Sequence, residues 1–296
     1  MNLRWTVIGF LAVTGAAAAP RPTSLPDFSG IWAHPSVGFD RALSGPGPVR
    51  NKARLTTGES DAAKLIDDYT NPILKPGAAA VVKQRGEIGL SGLAFPDPDN
   101  QCLSQPVPYI FWNFEIELLQ QSDKVTILYN HDHDFREIRL NSTHPTKVVP
   151  TWHGDSVGHY EGDTLVVDTV GIKVGPYTTL DRFGTPYTES MHITERYRLL
   201  DYEAAKEAQE RLREWPHIGA YDVDPNDRGK GVQLEFTVDD PNVFTMPWSA
   251  TVNYRRALHK EWEERVCAEN VEHYYTLTRY YSDPNAHIPT ANARDF

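Results

Sequence analysis

The feature that most constrains this chain is a series of short segments in which apolar and polar residues alternate. The clearest examples are residues 135–140, 193–199 and 232–238. Alternation of this kind places the apolar side chains on one face of a β-strand and the polar side chains on the other. Strands buried on both faces, as in parallel α/β sheets, are instead apolar throughout. The pattern therefore predicts a mainly antiparallel sheet.

Other segments have the same character and are separated by short turns. They are residues 114–119, 125–129, 164–169, 249–254 and 274–280. Seven or more strands joined in this way predict an all-β, barrel-like or sandwich single domain. Two helices are also predicted. One covers residues 56–69, and the other, at 202–215, is rich in Ala, Glu, Lys and Arg and is expected to be a surface insertion.

The N-terminus has the layout of a secretory signal peptide over residues 1–19. Arg4 precedes an apolar stretch, and a run of small residues ends at Ala19. The stretch is too short to span a bilayer, and no later segment reaches the ~18 apolar residues that a spanning helix needs. We therefore expect an exported protein, periplasmic or secreted, with no integral membrane segment. Residues 20–50 are expected to form an arm that docks through Phe28 and Trp32, ahead of a β-rich domain over 51–296.

Composition limits the partners. The chain has 29 basic and 40 acidic residues and a formal net charge of −11. It lacks the basic footprint of a nucleic-acid-binding protein, so no nucleic-acid partner is expected. Neither a phosphate-binding loop nor a dinucleotide fingerprint occurs, so the sequence predicts no cofactor. A small-molecule ligand or substrate is the expected partner, and the oligomeric state is left open.

The two cysteines, Cys102 and Cys267, lie too far apart in the chain for a close-spaced metal motif. Export to an oxidising compartment favours a disulfide between them. Closing so long a loop would stabilise the fold by roughly 4–5 kcal/mol in the chain-entropy model. The alternative is a pair of buried free thiols.

Two motifs carry weaker chemical signals. His131 and His133 would share one face of an extended strand and could supply two metal ligands, although a solvated turn between two strands is the more common use of such residues. Residues 154–158 match G-x-S-x-G, which in α/β-hydrolases presents a nucleophilic serine between a strand and a helix. Here a strand candidate follows Ser156 instead of a helix. The glycines therefore favour a turn.

The strongest candidate for catalysis is a group of titratable residues near 181–196. His192 and Arg196 would share one face of a strand, with Asp181 nearby. If that face lines a barrel interior, His192 is the acid–base group and Arg196 or Asp181 orients it or stabilises charge. The alternative is an ion-pair ladder on a solvent-exposed face. Weaker catalytic candidates are His144, His159 and Asp168.

Aromatic residues are candidates for binding an apolar ligand, namely Trp152, Tyr160 and Trp248, although core packing is the commoner use of such residues. Together these residues predict a cofactor-independent enzyme of lyase, isomerase or cyclase type acting on a small, mostly apolar molecule. A non-catalytic binding or carrier protein is the first alternative. A metal-dependent hydrolase using the His131 and His133 region is the second.

The central segment resembles a large family of exported bacterial proteins. The resemblance rests on Pro150-Thr151-Trp152, on Gly154, Ser156 and Gly158, and on residues 161–169, which read EGDTLVVDT. A P-D-x-S-G-x-W segment at residues 26–32 and the residues around Cys267 also match, so the likeness covers roughly 26–270. Asp155 and Tyr160 depart from the family's histidine and tryptophan. The resemblance implies export, a β-rich fold and one domain, and it carries no catalytic residue.

Overall fold

The structure is a computed structural model, and its described regular structure is mostly β-strand, with two α-helices and one short 3-10 helix (Tyr109–Trp112). It describes residues 25–34, 38–42, 44–58, 60–61, 64–91, 95–112, 115–130, 132, 134–211, 223–258, 261–262 and 266–267. The predicted signal peptide, the strand candidate at 274–280 and the metal candidates His131 and His133 lie outside these residues.

The described strands follow the alternating segments of the sequence. They are β1 (Gly30–Ala33), β2 (Asp40–Arg41), β3 (Glu115–Gln120), β4 (Lys124–Tyr129), β5 (Phe135–Leu140), β6 (Asp155–Glu161), β7 (Thr164–Val170), β8 (His192–Leu200), β9 (Gly231–Asp239) and β10 (Trp248–Arg256).

These strands close into a barrel. Strands β3 to β10 pair in chain order, and β1 pairs with both β3 and β10, which gives a closed barrel of nine strands. Strand β2 adds to β10 outside this ring. Among the described neighbours β5 and β6 alone run parallel, so residues 141–154 must cross from one end of the barrel to the other. The prediction of an all-β, barrel-like domain is confirmed.

The inward face of each strand supplies the core. Along β4 the buried residues are Val125, Ile127 and Tyr129, and the residues between them are half-buried. Phe28 and Trp32 are both buried, and Trp32 lies on β1, the strand that closes the ring. The N-terminal segment is thus part of the barrel wall, because β1 hydrogen-bonds to strands on both of its sides.

The helices differ from the sequence prediction. The described residues of 56–69 form turns and isolated bridges, so the predicted helix there is wrong. A helix lies instead at α1 (Pro76–Leu90), with Pro at its first turn, in a stretch for which the sequence predicted neither helix nor strand. This helix has almost no apolar stripe, so periodicity could not reveal it. The second helix, α2 (Tyr202–Arg211), lies within the predicted 202–215 segment.

Cys102 and Cys267 form a disulfide, with their Cα atoms 5.4 Å apart. The bond ties the segment before β3 to the chain beyond β10. Of the helices in the described ranges, none has the length and apolar character needed to cross a membrane.

Candidate functional site

Strand β8 carries the predicted acid–base residues on the outside of the barrel. Burial alternates along it, so that Ile193, Glu195 and Tyr197 are buried whereas His192 and Arg196 are not. His192 and Arg196 do share a face, as their spacing predicts. That face is the outer surface, and the residue that enters the barrel is Glu195.

Inside the barrel, Glu195 forms a bidentate ion pair with Arg136 of β5. The guanidinium donates to both carboxylate oxygens, at 2.8 and 2.5 Å, and both side chains are almost fully buried. Arg136 also donates to Ser156 at 3.0 Å and to Thr169 at 2.6 Å, and the Tyr197 hydroxyl donates to Glu195 at 2.9 Å. Burial alone would lower the pKa of Arg136, but the Glu195 charge raises it above its usual value. Opposite charges that hydrogen-bond to each other and to neighbouring hydroxyls form a structural network.

This network accounts for the G-x-S-x-G segment. Ser156 is 2% exposed, and its hydroxyl contacts Arg136 and Thr169. None of its bonds within the described residues is to a histidine, which a nucleophilic serine needs as its base. Gly154 has a φ of 71°, and a Cβ there would lie 2.7 Å from the Val170 carbonyl oxygen. Glycine at 154 therefore allows the crossover to enter β6.

A chain of hydrogen bonds joins three of the predicted residues on the outer face. The His144 ring contacts Asp155 through Nδ1 at 2.6 Å and Asp168 through Nε2 at 3.0 Å. His192 contacts the other Asp168 oxygen through its own Nε2. Arg139 donates two bonds to Asp155, both at 2.9 Å, and these bonds hold the pKa of Asp155 below its usual value. The His192 and Asp168 side chains are 44% and 43% exposed.

The other exposed residues on this surface form simple ion pairs. Arg196 donates to Glu161 at 2.8 Å, and His159 contacts the same carboxylate at 3.3 Å. The pKa of Glu161 lies below its usual value, and the hydrogen bond from Arg196 contributes most to this shift. This arrangement matches the ion-pair ladder that the sequence left open for the β8 face.

The predicted binding aromatics lie apart from one another. Trp248 is buried in the core against Phe236 and Phe244. The Trp152 ring lies on the crossover, with the Lys173 ammonium 4.8 Å from its centroid. The Tyr160 hydroxyl accepts a bond of 2.7 Å from Gln120. Among the described residues, no three His, Cys, Asp or Glu side chains converge as a metal site would require.

Asp181 lies apart from His192 and faces a cavity. The cavity encloses about 80 Å³, several times the roughly 10–15 Å³ that one buried water occupies. Its walls come from the segment between β1 and α1, from the helical turn before β3, from the β7–β8 connection and from the end of α2. The lining residues are Phe39, Asp40, Pro48, Val49, Arg50, Asn51, Arg54, Ser60, Trp112, Asp181, Phe183 and Arg211.

Behind the cavity wall, Asp181 is joined to a second buried carboxylate, Asp67. The Thr185 hydroxyl lies between them, 2.6 Å from Asp181 and in contact with Asp67. Asp181 also accepts backbone N–H bonds from Phe183, Gly184 and Thr185 at 2.9, 3.0 and 3.1 Å. The other Asp67 oxygen, Oδ1, accepts no hydrogen bond within the described part of the chain.

Both carboxyl groups have raised pKa values, for related reasons. Burial raises the pKa of Asp67 well above its ordinary value, and the neighbouring Asp181 charge raises it further. Burial also raises the pKa of Asp181, but the hydrogen bonds from Thr185, Phe183 and Gly184 oppose that effect. The environment therefore favours the proton on Asp67 and the negative charge on Asp181.

Sequence reasoning identified Asp181 but missed its partners Asp67 and Thr185. Asp67 lies within the segment predicted as a helix, and it precedes Thr185 by 118 residues. No local motif relates residues so far apart. Only the packing of the 50–70 segment against the β7–β8 connection brings them together.

The chain matches no known protein family, no curated protein and no solved structure. The function is therefore inferred from the residues and contacts described above.

Proposed function

We propose that this protein is a cofactor-independent acid–base enzyme, of lyase, isomerase or cyclase type, that acts on a small molecule in the cavity beside Asp181. The observation that carries the proposal is the single Thr185 hydroxyl between two buried carboxylates. Titratable groups with displaced pKa values beside a cavity are the usual mark of acid–base catalysis, because burial is otherwise an unfavourable environment for them.

The Thr185 hydroxyl has a single proton, and this determines which of the two carboxyl groups, Asp67 or Asp181, is ionised. A hydroxyl has one proton, so Thr185 can donate to only one of the two carboxylates that it contacts. Asp181 already accepts three backbone N–H bonds, which stabilise its ionised form. Thr185 therefore donates to Asp181, and its contact with Asp67 requires a proton on Asp67. The pair holds one proton and one negative charge.

This state gives each residue a role. Asp181 lines the cavity and is the catalytic base, since it is ionised and its pKa is raised, which strengthens it as a proton acceptor. Asp67 does not line the cavity. It acts as a positioning residue, because its proton removes the repulsion between the two carboxylates and orients Thr185.

The proposed reaction moves one proton within the substrate. Asp181 removes a proton from one substrate atom, so that one bond to hydrogen breaks and its electron pair stays on the substrate. After the double bond shifts, a ring closes or, in a lyase reaction, the bond to a leaving group breaks with its electron pair, Asp181 returns the proton to a different atom of the substrate or to the leaving group. The protein ends in its starting state, and no electrons pass between protein and substrate. The cavity meets solvent beside the exposed Arg54 and Arg211, so the proton held by Asp181 exchanges with solvent before it is returned.

The test begins with the ligand. Mass spectrometry of small molecules released from the purified protein identifies what the cavity holds, and that compound is then incubated with the protein in D₂O. We expect the wild type to introduce deuterium, whereas Asp181→Asn binds the compound but introduces none. Asp97→Asn is the matched control, because Asp97 is also buried with a pKa raised to about 6 but does not line the cavity.

A second measurement needs no ligand. Infrared spectroscopy at neutral pH should detect the C=O band of a protonated carboxyl group, and this band should disappear in Asp67→Asn. Binding of the compound without any deuterium exchange by the wild type would favour the carrier alternative. Stoichiometric zinc, copper, iron or manganese in the purified protein would favour the metal-dependent hydrolase.

The outer-face chain of His144, Asp168 and His192 is a second candidate for the acid–base group. The observation in its favour is the continuous hydrogen bonding from Asp155 to His192. In this case the outer face would carry the reaction. His192→Ala would then abolish the exchange and Asp181→Asn would leave it intact, which is the reverse of the result expected for the cavity.

We also propose that the protein is exported after removal of residues 1–19, which the Cys102–Cys267 disulfide supports, since such bonds persist in oxidising compartments. The intact mass of the protein recovered from the periplasm or medium tests this proposal. A mass that includes residues 1–19 would contradict it.

A further inference from the structure

The charges around the cavity differ from those of the chain as a whole. The chain carries a net charge of −11, yet the lining contains three arginines, Arg50, Arg54 and Arg211, against Asp40 and Asp181. With both aspartates ionised, the lining keeps one positive charge in excess. An acidic protein that concentrates arginine at one cavity favours a negatively charged ligand there.

The residues that line the cavity differ in their exposure to solvent. Arg54 and Arg211 are exposed, Arg211 also donates to Glu207 of α2 at 3.2 Å, and Arg50 is half-buried. Asp181, at the opposite extreme, is 3% exposed. The arginines therefore lie where the cavity meets solvent, and the carboxylate lies at its inner end. A bound molecule would meet positive charge first and the acid–base pair last.

Between these two ends lies an aromatic wall. The rings of Phe39 and Trp112 are in edge-to-face contact with centroids 5.4 Å apart, and Trp112 and Phe183 make the same kind of contact at the same distance. The rings meet nearly at right angles, so they form an apolar corner against which an aromatic ring can pack face-on to one ring and edge-on to the next.

We infer that the cavity binds a small molecule with a flat apolar body and one anionic group, a carboxylate or a phosphate monoester, held by Arg54 and Arg211 at the mouth. The inference rests on the proposed function for the position of the reacting end. The anion points outward because a negative charge beside Asp181 would be repelled, and the body lies against Trp112 and its two neighbours. The inferred substrate therefore carries a negative charge in addition to its apolar body.

Three probes of similar size test the inference on the full chain. Benzoate carries a carboxylate, phenyl phosphate a phosphate, and benzamide no charge. Isothermal titration calorimetry should detect binding of at least one charged probe, and the affinity for benzamide should be at least about tenfold weaker. Which charged probe binds more tightly identifies the anionic group. Added salt should weaken the binding, because the arginines at the mouth are exposed to screening.

Substitution then locates the anion. Arg54→Gln combined with Arg211→Gln should weaken binding of the charged probe by roughly tenfold or more, as expected for lost charge-assisted hydrogen bonds. Arg196→Gln is the matched control, because Arg196 is also an exposed arginine but pairs with Glu161 away from the cavity. This control should leave the dissociation constant unchanged.

The outcomes separate the inference from the proposed function. Equal binding of benzamide, binding by neither charged probe, or an equal effect of Arg196→Gln would overturn the anionic substrate class, whatever Asp181→Asn does to deuterium exchange. Charge-dependent binding lost in the arginine variant, with no exchange by the wild type, would support the anion site and overturn the enzyme. Asp181→Asn should keep its affinity for the charged probe, since the anion lies at the other end.

Discussion

Among the described residues, two buried clusters of ionisable groups differ in the sign of the charges that they bring together. In the barrel interior, Arg136 and Glu195 are opposite charges joined by two hydrogen bonds. Beside the cavity, Asp67 and Asp181 are like charges joined through one hydroxyl. Glu195 and Asp67 are both fully buried, so burial by itself does not distinguish the clusters.

The two clusters also differ in whether they can exchange a proton with a ligand. The Arg136–Glu195 network has a partner for each charged group and keeps its protons, since the Glu195 charge raises the already high pKa of Arg136. The Asp67–Asp181 pair must hold a proton to be stable, and that proton is bound with a pKa displaced from the ordinary value. The first cluster stabilises the barrel, whereas the second can take part in proton transfer.

The largest expected effect comes from breaking the interior pair. Arg136→Met leaves Glu195 buried without its counter-charge, so the free energy of unfolding should fall by about 3–5 kcal/mol in urea denaturation. The double variant Arg136→Met with Glu195→Leu should recover part of that loss, because it removes both charges. A loss below about 1 kcal/mol in the single variant would contradict a structural role.

A pH effect should distinguish the like-charged pair. Because folding raises the pKa of Asp67 above its ordinary value of 3.8, the folded state holds a proton that the unfolded state releases first. The free energy of unfolding should therefore fall as pH rises from about 4. Each unit of pKa difference corresponds to about 1.4 kcal/mol.

Variants at two buried aspartates measure how much each carboxyl group contributes to this loss of stability. Both carboxyl groups contribute below about pH 6, so Asp97→Asn should remove only part of the decline there, whereas Asp67→Asn should reduce the decline below pH 6 and also the part that continues above it. Urea denaturation of both variants across the range measures the effect. A wild-type decline that Asp67→Asn leaves unchanged would mean that Asp67 is ionised at neutral pH.

A smaller effect should follow from removing one neutral member of the interior network. Ser156→Ala takes away a hydroxyl that accepts two hydrogen bonds from Arg136, while the Glu195 pair remains. We expect a loss of about 1–3 kcal/mol in unfolding free energy and no change in deuterium exchange. Labelling of wild-type Ser156 by a fluorophosphonate probe would instead indicate a nucleophile.

The smallest effect should come from an arginine–glutamate pair of the same type on the surface. Arg196 pairs with Glu161, but these side chains are 45% and 50% exposed. Arg196→Gln should therefore leave the unfolding free energy nearly unchanged, and added salt should reduce any remaining effect. A loss comparable to that of Arg136→Met would show that sign and geometry, rather than burial, set the energy.

Some of the candidate site could be read from the sequence. The β8 alternation placed His192 and Arg196 on one face, and His144, Asp168 and His192 were each singled out before the structure joined them. Alternation cannot tell which face of a strand turns inward, because Glu195 on the other face is as polar as its neighbours. The burial of Glu195 depends on Arg136, which lies on another strand.

The sequence by itself determined the β-rich class and most of the strands and favoured the pairing of the two cysteines, because periodicity, turn residues and composition act over a few neighbouring positions or over the whole chain. The tertiary structure decided the barrel closure through β1, the outward direction of His192 and the meeting of Asp67 with Asp181. These features depend on contacts between residues far apart in the chain, including the 118 positions between Asp67 and Thr185. Only the folded chain brings such groups close enough to change each other's pKa.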